Sequence, residues 1–158
     1  NGQWGNLTFP VFRLGEMYLN FIESVLECKK RNVALPAGYE ELAMEKWADL
    51  RDRAGLTPIT AVYPEAKGNW DELIELCRKE RRVELAFENH RFWDVRRWKI
   101  AEIVDNKKVH KITVNADGTY SYPVFQNRVF DKAKHYLFPI PQSEIDKNRN
   151  LVQNPGWN

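Results

Sequence analysis

The sequence predicts a mainly α fold: helix hairpins, then a small β-hairpin and an irregular C-terminal tail. Three observations carry this. Residues 70–98 hold a helical pattern with no Pro or Gly. Two earlier apolar stripes recur at three and four residues and end on Gly and Pro signals. Asp117-Gly118 separates two runs of partial strand alternation, and proline-punctuated sequence follows.

Residues 1–10 suggest an ordered lead-in, with Trp4, Leu7 and Phe9 apolar and Pro10 able to start a helix. Residues 11–30 predict the first helix. Its inward stripe is Leu14, Met17, Tyr18, Phe21, Ile22, Val25 and Leu26. Gly15 within it points to a close helix crossing, since an interior glycine otherwise costs up to about 1 kcal/mol against alanine. Lys29, Lys30 and Arg31 sit where the helix dipole favours cations. Leu35-Pro36-Ala37-Gly38 makes a turn. Residues 39–53 predict a second helix, with Leu42, Trp47 and Leu50 inward and a glycine stop at Gly55 before Pro58. A loop through Pro64 and Gly68 leads to residues 70–98, whose start Asn69 or Asp71 can cap.

On a single helix at 100° per residue, Glu80, Arg81, Glu84, Glu88 and Arg91 share one arc roughly 100° wide. Arg81 with Glu84, Glu88 with Arg91, and Asp94 with Arg97 are i,i+3 pairs. Glu84 and Glu88 are like charges at i,i+4, which repel unless an arginine sits between them. Apolar residues surround the arc: Val83 and Phe87 on one flank, Leu85 and Phe92 on the other, Ala86 and Trp93 behind. A helix apolar on several sides is interior. The expectation is a central helix with a partly buried charge network.

After Trp98, residues 100–104 extend or follow this helix. Residues 109–114 and 119–125 flank the Asp-Gly turn as a hairpin, and Pro123 makes it an edge or protruding ribbon. Residues 126–141 are expected to be mostly extended, with Pro139 and Pro141 biasing their predecessors away from helix. Residues 143–148 give one short helical turn, and the tail lays Leu151 and Trp157 on the body.

A chain of 158 residues is long enough for one domain with a real core. Its 24 basic and 22 acidic residues leave a net charge of +2, which does not drive binding to nucleic acid or an anionic membrane. The aromatic content is high, with 6 Trp, 6 Tyr and 8 Phe. These are large core residues, or else platforms for flat ligands or an interface. Cys28 and Cys77 form no CxxC and no cluster with histidine, so no structural metal is expected, and both lie in helical patterns beside apolar neighbours, which suits buried thiols rather than a disulfide. No apolar run is long enough to span a bilayer. The opening Asn-Gly-Gln-Trp, without an initiator Met, suits a processed or proteolysed piece of something longer.

The sequence holds no nucleophile elbow, phosphate loop or dinucleotide fingerprint. His90 lies near Arg91 and Asp94, which could orient an imidazole, but no Ser or Cys stands beside it, and His110 and His135 are remote. Trp93 and Trp98 could stack on a sugar ring; packing is the plainer reading. Glu84 and Glu88 could be considered as a hydrolytic pair, yet an acid within reach of arginines has a lowered pKa and makes a poor general acid. Catalytic and metal-ligating residues are therefore assigned to none, and no cofactor is expected.

Residues 80–98, Glu-Arg-Arg-Val-Glu-Leu-Ala-Phe-Glu-Asn-His-Arg-Phe-Trp-Asp-Val-Arg-Arg-Trp, closely resemble a hallmark segment of the SusD/RagB family of outer-membrane nutrient-binding lipoproteins. Residues 13–20, 50–55, 136–145 and 153–157 resemble further family segments in the same order. The resemblance covers residues 1–158 and implies the C-terminal portion of a SusD-like fold, with a helical core over 9–98 and a hairpin and packing tail over 99–158. It makes Glu80, Arg81, Glu84, Glu88, Arg91, Asp94 and Arg97 a structural signature that holds the ribbon and tail against the helices. Family members are usually about three times longer and carry a lipidated N-terminal cysteine. The resemblance therefore implies a missing N-terminal portion as a partner, containing most of the glycan contacts; glycan-binding residues stay unassigned here.

The implied function is non-enzymatic capture of oligosaccharide, or of peptide as in some relatives, at the cell surface beside a TonB-dependent outer-membrane transporter. Two alternatives of other classes stand beside it. An intracellular helical adaptor for a protein partner would use the stacked helices and aromatics. A glycoside hydrolase would use Glu84 or Glu88, and loss of turnover in Glu88→Gln would reveal it.

Overall fold

The structure is a computed structural model that describes residues 11–157. The expected lead-in of Trp4, Leu7, Phe9 and Pro10 lies outside the described residues. The chain divides into two compact units, Asn1–His90 and Arg91–Asn158. The fold is mainly α with a small β-hairpin, as the sequence predicts.

The first unit contains α1 (Leu14–Lys30), α2 (Tyr39–Arg53), α3 (Ile59–Val62), a 3-10 turn at Pro64–Ala66, and α4 (Trp70–Glu84). Helix α1 packs against both α2 and α4. The central element of this unit is thus α1, where the sequence pattern pointed to residues 70–98. Leu19, Ile22, Val25 and Leu26 of α1 meet Ala43, Trp47 and Leu50 of α2 and Leu73, Ile74, Leu76 and Cys77 of α4 in one buried cluster. Burial of these side chains, each worth about 1.5–3 kcal/mol for a large aliphatic, drives the packing.

The ends of these helices follow local chemistry. Asn69 accepts from the Glu72 amide, 3.3 Å, and caps α4. Helix α2 stops in a Schellman arrangement, with the Leu56 amide on the Arg51 carbonyl at 2.9 Å and the Gly55 amide on Asp52 at 2.8 Å. The stretch expected as plain loop between Pro58 and Gly68 contains α3 and the 3-10 turn, pinned by buried Ile59 and Ala66.

Three expectations fail in this unit. Helix α1 starts at Leu14 rather than residue 11, because Arg13 is extended (φ −137°, ψ 157°) and its side chain is drawn to α4. Leu14 and Met17 are exposed, while Glu16 and Glu23 are buried. The first turns of α1 face the polar end of α4, which turns the apolar pair outward. In α2, Leu42 is 38% exposed and Ala43 is the buried neighbour.

The largest departure lies in residues 70–98, which are not one helix. Helix α4 ends at Glu84, a turn follows, and α5 spans His90–Arg97. Phe87 and Asn89 have φ of 66° and 65°, left-handed values incompatible with a continuous right-handed helix. Such a φ costs a residue with a β-carbon roughly 1–2 kcal/mol, less for asparagine. The turn keeps Leu85 buried as its anchor. The predicted arc of Glu80, Arg81, Glu84, Glu88 and Arg91 therefore does not exist as one helical face.

In the second unit, Lys99 (φ 56°) separates α5 from α6 (Ala101–Val104). Strands β1 (Lys108–His110) and β4 (Val124–Asn127) pair antiparallel with Val109 opposite Gln126, and a bulge follows before His110 and Val124. Strands β2 (Thr113–Val114) and β3 (Tyr120–Ser121) continue the same ribbon, with the Lys111 amide on the Pro123 carbonyl between the two ladders. At the tip, the Asn115 amide donates to Thr119 and the Gly118 amide to Asn115, with Gly118 at φ 81°. This is a three-residue loop closed by a left-handed glycine. Asp117 accepts from the Thr119 hydroxyl and amide, which holds its carboxyl below the usual range.

Val95, Ala101 and Phe130 form the core of this unit, with Ile100, Val104 and Tyr136 against them. Helix α7 (Gln142–Lys147) follows Pro141. The tail returns to the extended segment before it. Gln153 accepts from the Ile140 amide and donates to its carbonyl, both 2.8 Å, while Asn154 donates to the Phe138 carbonyl at 2.6 Å. Trp157 donates its indole N–H to the Lys134 and Leu137 carbonyls at 3.1 and 3.0 Å.

Gly15 marks a close approach between α1, α2 and the end of α4. A Cβ there would stand 2.7 Å from Arg13 Nη1, 3.0 Å from Glu84 Oε1 and 3.3 Å from Leu50 Cδ1. Gly15→Ala should thus lower stability by about 1–2 kcal/mol through overpacking, where an ordinary helix interior would gain up to about 1 kcal/mol. The urea midpoint of unfolding, at unchanged slope, measures which sign holds.

Candidate functional site

Among the described residues, one cluster of chemistry-bearing side chains stands out in each unit. The first surrounds the end of α4. Arg13 Nε donates to Glu88 at 2.8 and 3.0 Å, and Nη1 donates to Glu84 Oε1 at 2.5 Å. Its Nη2 donates to the Glu84 carbonyl, where a cation satisfies the open end of the helix. One guanidinium thus stands between the two like-charged carboxylates. Arg53 adds bonds of 2.8 and 2.9 Å to Glu84 from the exposed side.

The same end of the unit holds other pairs. Arg51 of α2 donates to Glu80, Arg81 is buried and donates to Asn20 Oδ1 at 2.6 Å, and His90 Nε2 is 3.6 Å from Glu16 Oε2. Helices α1, α2 and α4 are thereby tied by polar contacts at one end and by the apolar cluster along the rest of their length.

This arrangement sets the charge states. The Arg13 bond holds the Glu88 carboxyl below its ordinary value of 4.5, and the same bond pushes the Arg13 guanidinium still higher. Both stay ionised at neutral pH. A general acid needs a raised pKa, so Glu88 is set for holding shape and poorly set for proton donation.

The remaining signature residues belong to the second unit. Asp94 is buried and takes Arg97 through Nε and Nη2, each 2.9 Å. Arg91 and Arg97 lie over the Trp98 ring at 5.9 and 4.7 Å. Sequence reasoning put Glu80, Arg81, Glu84, Glu88 and Arg91 on one arc and paired Asp94 with Arg97. The structure brings Glu80, Arg81, Glu84 and Glu88 to the end of the three helices and places Arg91, Asp94 and Arg97 on α5.

What the sequence reading missed is Arg13, together with Arg51 and Arg53, as the cations that serve these acids. Arg13 precedes α1 and the other two lie on α2, beyond the reach of i,i+3 and i,i+4 reasoning. The available signals were an arginine directly before the first helix and the Arg51–Arg53 pair at the end of the second.

The second cluster is a cleft of 550 Å³ lined by Arg91, Phe92, Arg96, Asp105, Arg128 and His135 among others. The Arg96 guanidinium lies 3.5 Å from the Phe92 ring centre and 5.3 Å from Phe130, and 3.9 Å from Asp105. Beside it, Phe92, Trp93 and Phe138 form an exposed aromatic group with ring centres 5.0–6.1 Å apart. Such a surface can offer guanidinium donors and ring faces to a polar, flat-sided ligand. Trp93 is available for stacking, whereas Trp98 is covered by its arginines. Among the described residues no group of three His, Cys, Asp or Glu is placed to hold a metal ion, and no helix is long and apolar enough to cross a membrane.

Comparison with known proteins adds the following. The SusD family model matches residues 1–157. SusD-like protein P2 of Formosa agariphila is 34% identical over 88 residues, which cover 55% of this chain and 15% of that protein. The chain thus spans a small part of the length of this relative. No solved structure matches.

Two outcomes follow from the charge cluster. Arg13→Ala should cost on the order of 2–3 kcal/mol, since it leaves two partly buried carboxylates facing each other; Arg53→Ala, at an exposed pair, should cost less than about 1 kcal/mol. Urea unfolding of the two variants in parallel gives the comparison. Because the folded-state pKa of Glu88 is depressed, its contribution is full above the ordinary carboxylate range and is lost as pH falls through the folded value. Glu88→Gln should thus be less stable than the parent at pH 7 and converge with it in acid, as unfolding midpoints from pH 7 to pH 2 would record.

Proposed function

The chain belongs to the SusD family, and we propose that it is part of a non-enzymatic nutrient-binding component of glycan uptake at the outer membrane. The family match across residues 1–157 is the observation that carries this reading. In it, the full-length protein is a surface lipoprotein that captures oligosaccharide and passes it to a TonB-dependent transporter.

Within this reading the signature residues are scaffold. Glu80, Glu84, Glu88 and Asp94 are each committed to an arginine, and paired acids preserve shape without supplying a proton. The exposed aromatic group at Phe92, Trp93 and Phe138 supports binding in general terms, as ring faces suit both sugars and peptides. No observation specifically favours an intracellular adaptor or a hydrolase.

The test is calorimetric titration of the full-length gene product with oligosaccharide and peptide pools, with product analysis on the same mixtures. Saturable binding of oligosaccharide without cleavage is expected. Saturation by peptides alone would move the substrate class. Absence of binding to both, in a preparation that still pairs with its transporter, would remove the capture role.

A further inference from the structure

The cleft of the second unit carries positive charge that its own acids do not balance. Three arginines, Arg91, Arg96 and Arg128, line it against one carboxylate, that of Asp105. The whole chain is close to neutral, with 24 basic and 22 acidic residues, so the excess is local. A concave surface of one sign focuses its field on what enters it.

Arg96 shows the imbalance most directly. Its guanidinium lies over the Phe92 ring, 3.5 Å from the ring centre, and 5.3 Å from that of Phe130. Nη1 donates at 2.9 Å to the Phe92 carbonyl, a neutral acceptor in its own helix. The Asp105 carboxylate stands 3.9 Å from Nη1, too far for a hydrogen bond. Arg96 Nε is buried and has no acceptor at all. The aromatic contacts thus hold a guanidinium in place without an anion bonded to it. Arg128, directly after β4, is exposed and pairs with no acid among the described residues. His135 Nδ1 accepts from the Asp131 amide at 2.9 Å, so Nε2 keeps a proton and is a further donor.

This chemistry selects among ligands. Each hydroxyl of a neutral sugar needs acceptors as well as donors, and the charged groups of this lining are mostly donors. Planar guanidinium forks match the paired oxygens of a carboxylate or a sulfate. The exposed rings of Trp93 and Phe138 stand beside Phe92, which also lines the cleft. They offer stacking to the ring that carries the anion.

We propose that this cleft binds the oxyanion substituent, carboxylate or sulfate, of an acidic oligosaccharide, with Arg96 and Arg128 as donors and Trp93 as the neighbouring platform. The inference rests on the reading of the protein as an oligosaccharide-capture component and narrows the ligand to charged saccharides.

Calorimetric titration of the full-length gene product tests it, with a neutral oligosaccharide, an oligogalacturonate and a sulfated oligosaccharide of equal length as probes. An acidic probe should bind at least about tenfold more tightly than the neutral one, the worth of one charge-assisted hydrogen bond. Which acidic probe does so identifies the anion. Arg128→Gln should remove most of this preference. Arg149→Gln alters an exposed arginine outside the cleft by the same charge, and should keep it. Equal affinity for neutral and acidic probes overturns the proposal and leaves oligosaccharide capture standing; failure to bind any of the three overturns both. A preference that survives Arg128→Gln, or that falls equally in the two variants, also overturns the proposal. So does oligoglutamate or inorganic sulfate binding as tightly as the acidic oligosaccharides, since the saccharide would then contribute nothing.

Discussion

A single guanidinium, that of Arg13, fixes the geometry of the first unit's polar end. It stands between two carboxylates that would otherwise repel, and it also holds the terminal carbonyl of α4. The contact lies some seventy residues apart in sequence, so it closes a long loop through the chain, and a partly buried cation with two anionic partners is costly to break. The extended backbone at Arg13, the late start of α1 and the need for Gly15 are all consequences of bringing that side chain to α4.

Much of the fold is legible in local signals. Asn69 as a cap, the stop at Gly55 and the Asp117-Gly118 turn each rest on one residue's intrinsic chemistry, which the neighbouring packing leaves intact. The break after Glu84 is of another kind. No Pro or Gly marks it, and the residues around it pattern well as helix. The only local hint is Asn89, a residue that tolerates the left-handed region. The break is selected by tertiary forces: Leu85 buries, and Glu84 and Glu88 both reach Arg13, just before α1. Leu14 and Met17 mislead for a related reason. Their periodicity is that of an inward stripe, but the partner surface at that end is charged.

The candidate site shows the same division. The acids were identifiable from the chain, since Glu80, Glu84 and Glu88 recur every four residues, while their cations were not. Resemblance supplied the family where spacing supplied no chemistry. Arginine pairing holds the Glu88 carboxyl below its ordinary value and leaves it poorly suited to proton donation.

The bonds between Gln153 and Ile140 have one more implication. A side-chain amide takes the place of a neighbouring strand, accepting from one backbone N–H and donating to the carbonyl of the same residue. Residues 141–152, α7 included, are then a closed excursion whose two ends are joined by a single residue. Closing a longer excursion is cheap, at about 0.6 kcal/mol per doubling for a flexible loop. The tail therefore works as a fastener that is indifferent to what it encloses, and residues 141–152 are the place in the second unit where extra sequence can accumulate with the least effect on the rest.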